Sequence, residues 1–131
     1  MSLINKFFGE SKDTNNERPG WKNLTTLHQL EEIEDKSATV PVVIFKHSTR
    51  CSISRMALKN FERESGDDFP AERYYLDLLS HRAISNAIAE RFGVMHQSPQ
   101  ILLISGGRCA YDASHSQIDA QDTTKKIGEL T

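Results

Sequence analysis

The stretch that most constrains this chain is Val42-Val43-Ile44-Phe45-Lys46-His47-Ser48-Thr49-Arg50-Cys51-Ser52-Ile53-Ser54. An apolar run with β-branched residues reads as a buried strand, and the residues after Cys51 read as a helix. Cys51 therefore stands at or just before a helix N-terminus, directly after a strand. Unpaired backbone N–H groups and the helix dipole favour an anion there, so a thiol converts more readily to thiolate. Arg50 beside it and His47 near it add positive charge, which acts in the same direction. Thiolate is the attacking species in thiol–disulfide exchange, so the pattern points to a reactive Cys51 rather than a buried inert thiol.

The rest of the composition narrows the setting. At 131 residues the chain is one domain with a single core. Hydrophobic content of 37% and charged content of 26% fit a soluble globular protein. A net charge of -2 gives no argument for nucleic acid or an anionic membrane as partner. No apolar run approaches the roughly 18 residues of a membrane span, and Met1 to Phe8 lacks the apolar core of a signal peptide. Two cysteines, Cys51 and Cys109, are too few for a disulfide framework or for a zinc site within one chain. The expectation is a cytoplasmic protein with reduced thiols and no metal, where a singled-out cysteine is more often catalytic than structural.

Read in order, residues 1–20 are polar and turn-rich and end in Pro19-Gly20, which predicts a flexible arm ahead of a domain over 21–131. Leu3, Ile4, Phe7 and Phe8 fit one side of a short amphipathic turn within it. Trp21 to Leu24 reads as a short edge strand. Thr26 and Gln29 have capping-box spacing for a helix from about Leu27 to Lys36. Val40 to Lys46 is the central strand, with Pro41 tolerated at its start. Ser52 to Ser65 reads as a helix closed by Gly66, Phe69 to Leu78 as a strand, and Ser80 to Phe92 as a helix closed by Gly93. After His96-Gln97-Ser98-Pro99 come the strand Gln100 to Ser105, a Gly106-Gly107 hairpin turn and the returning strand Arg108 to Ser114. Asp119 with Asp122, or alternatively Ser116, caps a last helix to about Leu130. The order is (β)αβαβαββα, an α/β fold with a central mixed β-sheet flanked by helices. Strands joined through helices are expected to be parallel, with the hairpin adding an antiparallel partner.

That order, with Cys51 after the central strand and Pro99 just before the hairpin, resembles the thioredoxin fold. The resemblance implies a cis Ser98–Pro99 peptide facing the active-site cysteine. Four separated segments, His47 to Ser54, Tyr74-Tyr75-Leu76, Ser98-Pro99-Gln100-Ile101 and Ala113 to Ile118, resemble the YtxJ-type bacilliredoxins, first described as general stress proteins. The likeness covers about residues 21–130. It implies an enzyme that resolves mixed disulfides between protein cysteines and bacillithiol, a small thiol used by some bacteria in place of glutathione. Bacillithiol is then a co-substrate, with no permanently bound cofactor, and the partners are the low-molecular-weight thiol and bacillithiolated client proteins. The family more often has proline where Ser52 stands.

On this reading Cys51 is the nucleophile. Ser54 occupies the place of the second cysteine of dithiol oxidoreductases, so no disulfide can form within the motif and the exchange is monothiol. Pro99 lies opposite Cys51 and presents backbone groups of Ser98 to an extended substrate. Thr49 and Arg50 flank the thiol, and the forked guanidinium suits a carboxylate of the small thiol as well as it suits a solvated surface position. Cys109 reads first as a structural thiol, partly buried by strand alternation, and secondly as a resolving thiol for Cys51 if their Cα atoms come within about 7 Å. His115 reads as structural. His28, His81 and His96 have no metal-ligand spacing, and Ser48 and Ser105 lack partners for hydrolase chemistry.

Two other function classes fit less of the sequence. One is an iron–sulfur carrier like the monothiol glutaredoxins, which have Cys-Gly-Phe-Ser where this chain has Cys51-Ser52-Ile53-Ser54. The other is a non-catalytic stress or adaptor protein that binds extended peptides beside Pro99.

Overall fold

The six-residue strand at the centre is buried along its whole length, which a strand reaches only when both faces of its sheet are covered. In the computed structural model, which describes residues 20–130, the order is β1 (Lys22–Asn23), α1 (His28–Lys36), β2 (Val42–His47), α2 (Ser52–Ser65), β3 (Glu72–Asp77), α3 (Arg82–Phe92), β4 (Gln100–Ser105), β5 (Arg108–Ser114), a 3₁₀ turn (His115–Gln117) and α4 (Ala120–Leu130). The arm expected over residues 1–20 lies outside the described residues apart from Gly20.

The sheet order is β1-β3-β2-β4-β5. Strand alternation sends Val42 and Ile44 to one face, where Leu30 and Ile33 of α1 and Ile84 and Ile88 of α3 cover them. Val43 and Phe45 go to the other, under Leu58 and Phe61 of α2 and Ile127 of α4. Trp21 joins this second core edge-on to Phe45, with ring centroids 6.0 Å apart. Among the described residues no helix is long and apolar enough to cross a membrane.

Local signals place most boundaries. Gly66 and Gly93 follow α2 and α3 with positive φ, the conformation glycine adopts most cheaply. β2 starts only after Pro41, which has no N–H to give to a ladder. The expected strand from Phe69 shortens to Glu72–Asp77, beyond Pro70, and the expected helix from Ser80 starts at Arg82. Gln29 makes half of a capping box: its Oε1 accepts from the Thr26 N–H at 2.9 Å, while Thr26 contributes its carbonyl to the Gln29 N–H. Asp119, not Ser116, caps α4 through its Oδ1 and the Asp122 N–H at 2.9 Å.

One expectation is overturned. β2 and β3 are parallel, but β4 runs antiparallel to β2 although α3 joins it to β3. The reason lies in the return path: α3 starts beside the Cys51 end of the sheet, where the Ser85 carbonyl meets Lys46, and residues 93–99 carry the chain back to that same end. β4 must then run away from it.

Candidate active site

β2 ends at His47, and three turn residues lead to Cys51 as the N-cap of α2, in extended conformation (φ −106°, ψ 121°). The Cys51 N–H donates to the Ser48 carbonyl at 3.1 Å, and the Cys51 carbonyl accepts the Arg55 N–H at 3.0 Å, so the backbone at the thiol is held on both sides. The thiol is half-buried and no cap side chain competes with it for the free N–H groups of the first turn. Thr49, Arg50 and Ser52 are exposed around it. The Arg55 guanidinium donates to the Thr49 carbonyl at 3.2 Å and closes the turn from outside.

Ser54 does not face solvent beside Cys51. It is fully buried, with its hydroxyl 2.7 Å from His47 Nδ1 and accepting the Ser48 N–H at 3.0 Å. The hydroxyl thus bolts the start of α2 to the end of β2, at the turn that presents the thiol. His47 is itself buried and tilted over Tyr75, with centroids 5.6 Å apart, so its ring is part of the scaffold under the turn.

The opposite wall is the segment 95–99. The Ser98–Pro99 peptide is cis. Gln100 pairs with Lys46, so antiparallel register carries Pro99 to the level of His47, at the same sheet end as Cys51. The Pro99 carbonyl accepts the N–H of His115, whose φ of 55° turns the chain there. Gln100 Nε2 donates to the Met95 carbonyl at 3.0 Å. The Ser98 hydroxyl is buried and finds no hydrogen-bond partner among the described residues. Ile53 and Met56 on α2 and Met95 ahead of Pro99 are exposed apolar side chains at this end.

A partly open thiol on a helix start, a cis proline at the same sheet end and no second thiol in the motif are the parts of a single-cysteine redox site. The sequence matches the monothiol bacilliredoxin family, BrxC, over residues 22–123. This chain is a member of the monothiol bacilliredoxin family. A solved protein with a thioredoxin fold is 25% identical, with a TM-score of 0.73 over 82% of this chain and 94% of that one. Thioredoxins from Fasciola hepatica (15% identical, TM-score 0.63, covering 84% of this chain and 99% of that chain) and Arabidopsis thaliana (thioredoxin O2, 17%, 0.63, 87% and 96%) share the fold. Family and fold together give the bacilliredoxin a thiol redox role on an oxidoreductase scaffold.

The second cysteine of this bacilliredoxin sits elsewhere. Cys109 pairs with Ile104, and Ile104 with Val42, which puts it level with the start of β2. Cys51 lies past the end of that strand, roughly 16 Å further along at about 3.3 Å per residue, well beyond the Cα separation a disulfide spans. The structure therefore does not bring the two thiols together. A bulge at Ala110 also shifts the register, so Cys109 packs against the α1/α3 core while Tyr111 and Ala113 face the other. Burial pushes the Cys109 thiol up to about 11, and its S–H donates to the Tyr111 carbonyl at 3.3 Å. His28 is on α1 beside Glu31, His81 stands before α3, and His96 belongs to the 95–99 wall. Among the described residues no cluster of His, Cys, Asp and Glu could hold a metal ion.

Three features of the site carry no motif. Lys46 is buried inside the apolar strand, and its parity with Val42 and Ile44 is the one sequence signal that it points inward. The Ser54–His47 bond and the His115–Pro99 bond join residues whose proximity only the fold creates.

Proposed function

We propose that this bacilliredoxin removes bacillithiol from mixed disulfides on client proteins in the cytoplasm, through Cys51 alone. The observation that carries the reading is the pairing of a half-buried Cys51 at the N-cap of α2 with a Ser54 turned inward onto His47 and Ser48. The Cys51 thiolate attacks the bacillithiol sulfur of the client mixed disulfide. The client–bacillithiol S–S bond breaks, the client cysteine leaves as thiolate and takes a proton from water, and a Cys51–bacillithiol disulfide forms. A second thiol must then attack that adduct to regenerate Cys51. On this reading Thr49 and Arg50, exposed beside Cys51, hold a carboxylate of the small thiol, Ser52 opens the helix turn beneath it, and Ser98 with Pro99 offers backbone groups to the client segment. Bacillithiol is the co-substrate, and no permanently bound cofactor has a role in these steps.

The test is intact-mass spectrometry after mixing the protein with a bacillithiolated model protein. Wild type and Cys109→Ser are expected to gain the mass of one bacillithiol, and Cys51→Ser to gain none. Failure of wild type to take up bacillithiol, with glutathione mixed disulfides also inert, sinks the exchange reading and leaves the peptide-binding adaptor.

A further inference from the structure

Lys46 is fully buried on the face that α1 and α3 cover, at a position where Val42 and Ile44 set an apolar pattern. Its Nζ lies 3.4 Å from the Ser85 carbonyl and 3.3 Å from His96 Nδ1, and the Ser85 hydroxyl is 3.1 Å from the same ring nitrogen. No ion pair among the described residues involves Lys46, His96 or Arg82. Burying an ammonium with no carboxylate is costly, and an apolar side chain of similar size would stabilise a core better. Burial pulls the Lys46 amine down to about 8. Burial first, then the charges of Lys46 and Arg82, pulls His96 below its ordinary value. The residue is therefore expensive, and what it touches is the segment carrying Pro99.

That segment is clamped from two sides. From β4 and β5, Gln100 binds the Met95 carbonyl and accepts the Gln97 N–H, and His115 binds the Pro99 carbonyl. From β2 and α3, Lys46 and Ser85 converge on the His96 ring. With Lys46 charged, Nδ1 has to accept, which puts the proton of a neutral imidazole on Nε2. We infer that Lys46, Ser85 and His96 are positioning residues: they latch the 95–99 segment so that Ser98 and Pro99 meet a mixed disulfide held at Cys51. The inference rests on the exchange reading above. It adds a proton dependence. Protonated His96 turns an N–H toward the ammonium, so the latch holds while His96 is neutral and opens as pH falls through its lowered value. The titratable groups facing His96 are Lys46 from β2 and Arg82 from α3. Deprotonating Lys46 in alkali leaves N–H donors in place and does not open the latch.

The experiment compares Lys46→Met, His96→Leu, His96→Gln and the milder Ser85→Ala in the full chain. Amide hydrogen exchange over residues 95–99 reads the latch directly, and kinetics with a bacillithiolated model protein read its use. In Lys46→Met and His96→Leu we expect exchange at Gln97, whose N–H is held by Gln100, to speed up about tenfold and KM to rise about tenfold, with kcat within about twofold. Ser85→Ala moves both in the same direction by less. Iodoacetamide labelling of Cys51 stays at the wild-type rate, which separates a displaced wall from a damaged thiol. His96→Gln, whose Oε1 can accept from Lys46, restores the wild-type KM and loses the rise in KM that wild type shows in mildly acid buffer. Unchanged amide exchange and KM in both Lys46→Met and His96→Leu overturn the latch, as does loss of thermal stability with no change in KM. If wild type takes up no bacillithiol, the exchange reading fails on its own while hydrogen exchange still decides whether the latch exists.

Discussion

At one end of the sheet Lys46, His47, Ser54, Ser85 and Gln100 are buried polar residues around the turn that carries Cys51. At the other end the buried Ser37 accepts the N–H of Gly107 on its hydroxyl and that of Gly106 on its carbonyl, both at 2.8 Å. The two cysteines divide in the same way. Cys51 caps a helix with its thiol half open, whereas Cys109 lies against the apolar core with its S–H on a carbonyl. One side-chain type has two fates, decided by which end of the strands it occupies. The Cys51 end accepts unfavourable burials to hold a turn and a loop in place, and the Cys109 end uses the buried Ser37 to close a hairpin.

The comparison breaks first at Cys51: if the functional end is as described, Cys51→Ser abolishes bacillithiol uptake in the mass assay, and Cys109→Ser changes its rate by less than about twofold. Next comes Ser54→Ala, which removes the hydroxyl that binds the buried His47 ring nitrogen and the part-buried Ser48 N–H. It should lower stability by about 2 kcal/mol in urea unfolding with an unchanged slope, and a loss below about 0.5 kcal/mol would mean that the turn needs no bolt.

Alkali sharpens the contrast, because the two ends should answer it with opposite sign. Lys46 loses its proton at about 8 in the fold but keeps it to 10.5 when unfolded. Over that window the unfolded chain binds more protons, so this group raises stability as pH climbs. Lys46→Met should therefore be more stable than wild type at neutral pH, by on the order of 1 kcal/mol, and lose that advantage in alkali. A destabilised Lys46→Met at neutral pH would show that the ammonium strengthens the fold. Cys109 does the reverse. Unfolded it ionises near 9.0, folded only near about 11, so its contribution is whole below 9.0 and fades toward about 11. Cys109→Ser should flatten that decline in thermal melts across alkaline buffers, the smallest effect of the set.

What the sequence makes legible is mostly local. Gly66, Gly93 and the Gly106-Gly107 turn mark ends that the structure reproduces, and α2, β4 and β5 run over Ser52–Ser65, Gln100–Ser105 and Arg108–Ser114 as the pattern predicts. Cys51 at the start of α2 and Pro99 at the same sheet end also follow from strand order and motif. The direction of β4 does not, because helical periodicity says nothing of the end at which the 93–99 return delivers the chain. Ser54 reads as a helix-start residue or a stand-in for cysteine, and its bond to His47 needs the fold to exist. Lys46 and His96 are fifty positions apart along the chain, and no spacing rule joins them.

The bulge at Ala110 works on β5 as a frameshift works on a reading frame. Downstream of it Tyr111 and Ala113 are read on the α2/α4 side, and upstream Cys109 is read on the α1/α3 side, although all three share odd parity. In a relative that lacks Ala110 the ladder would run unbroken, and a cysteine directly before its tyrosine would still lie on the α1/α3 side, whereas one two places before it would turn to the α2/α4 side. Aligning two such chains by distance from the tyrosine alone would then match positions that do not share their surroundings.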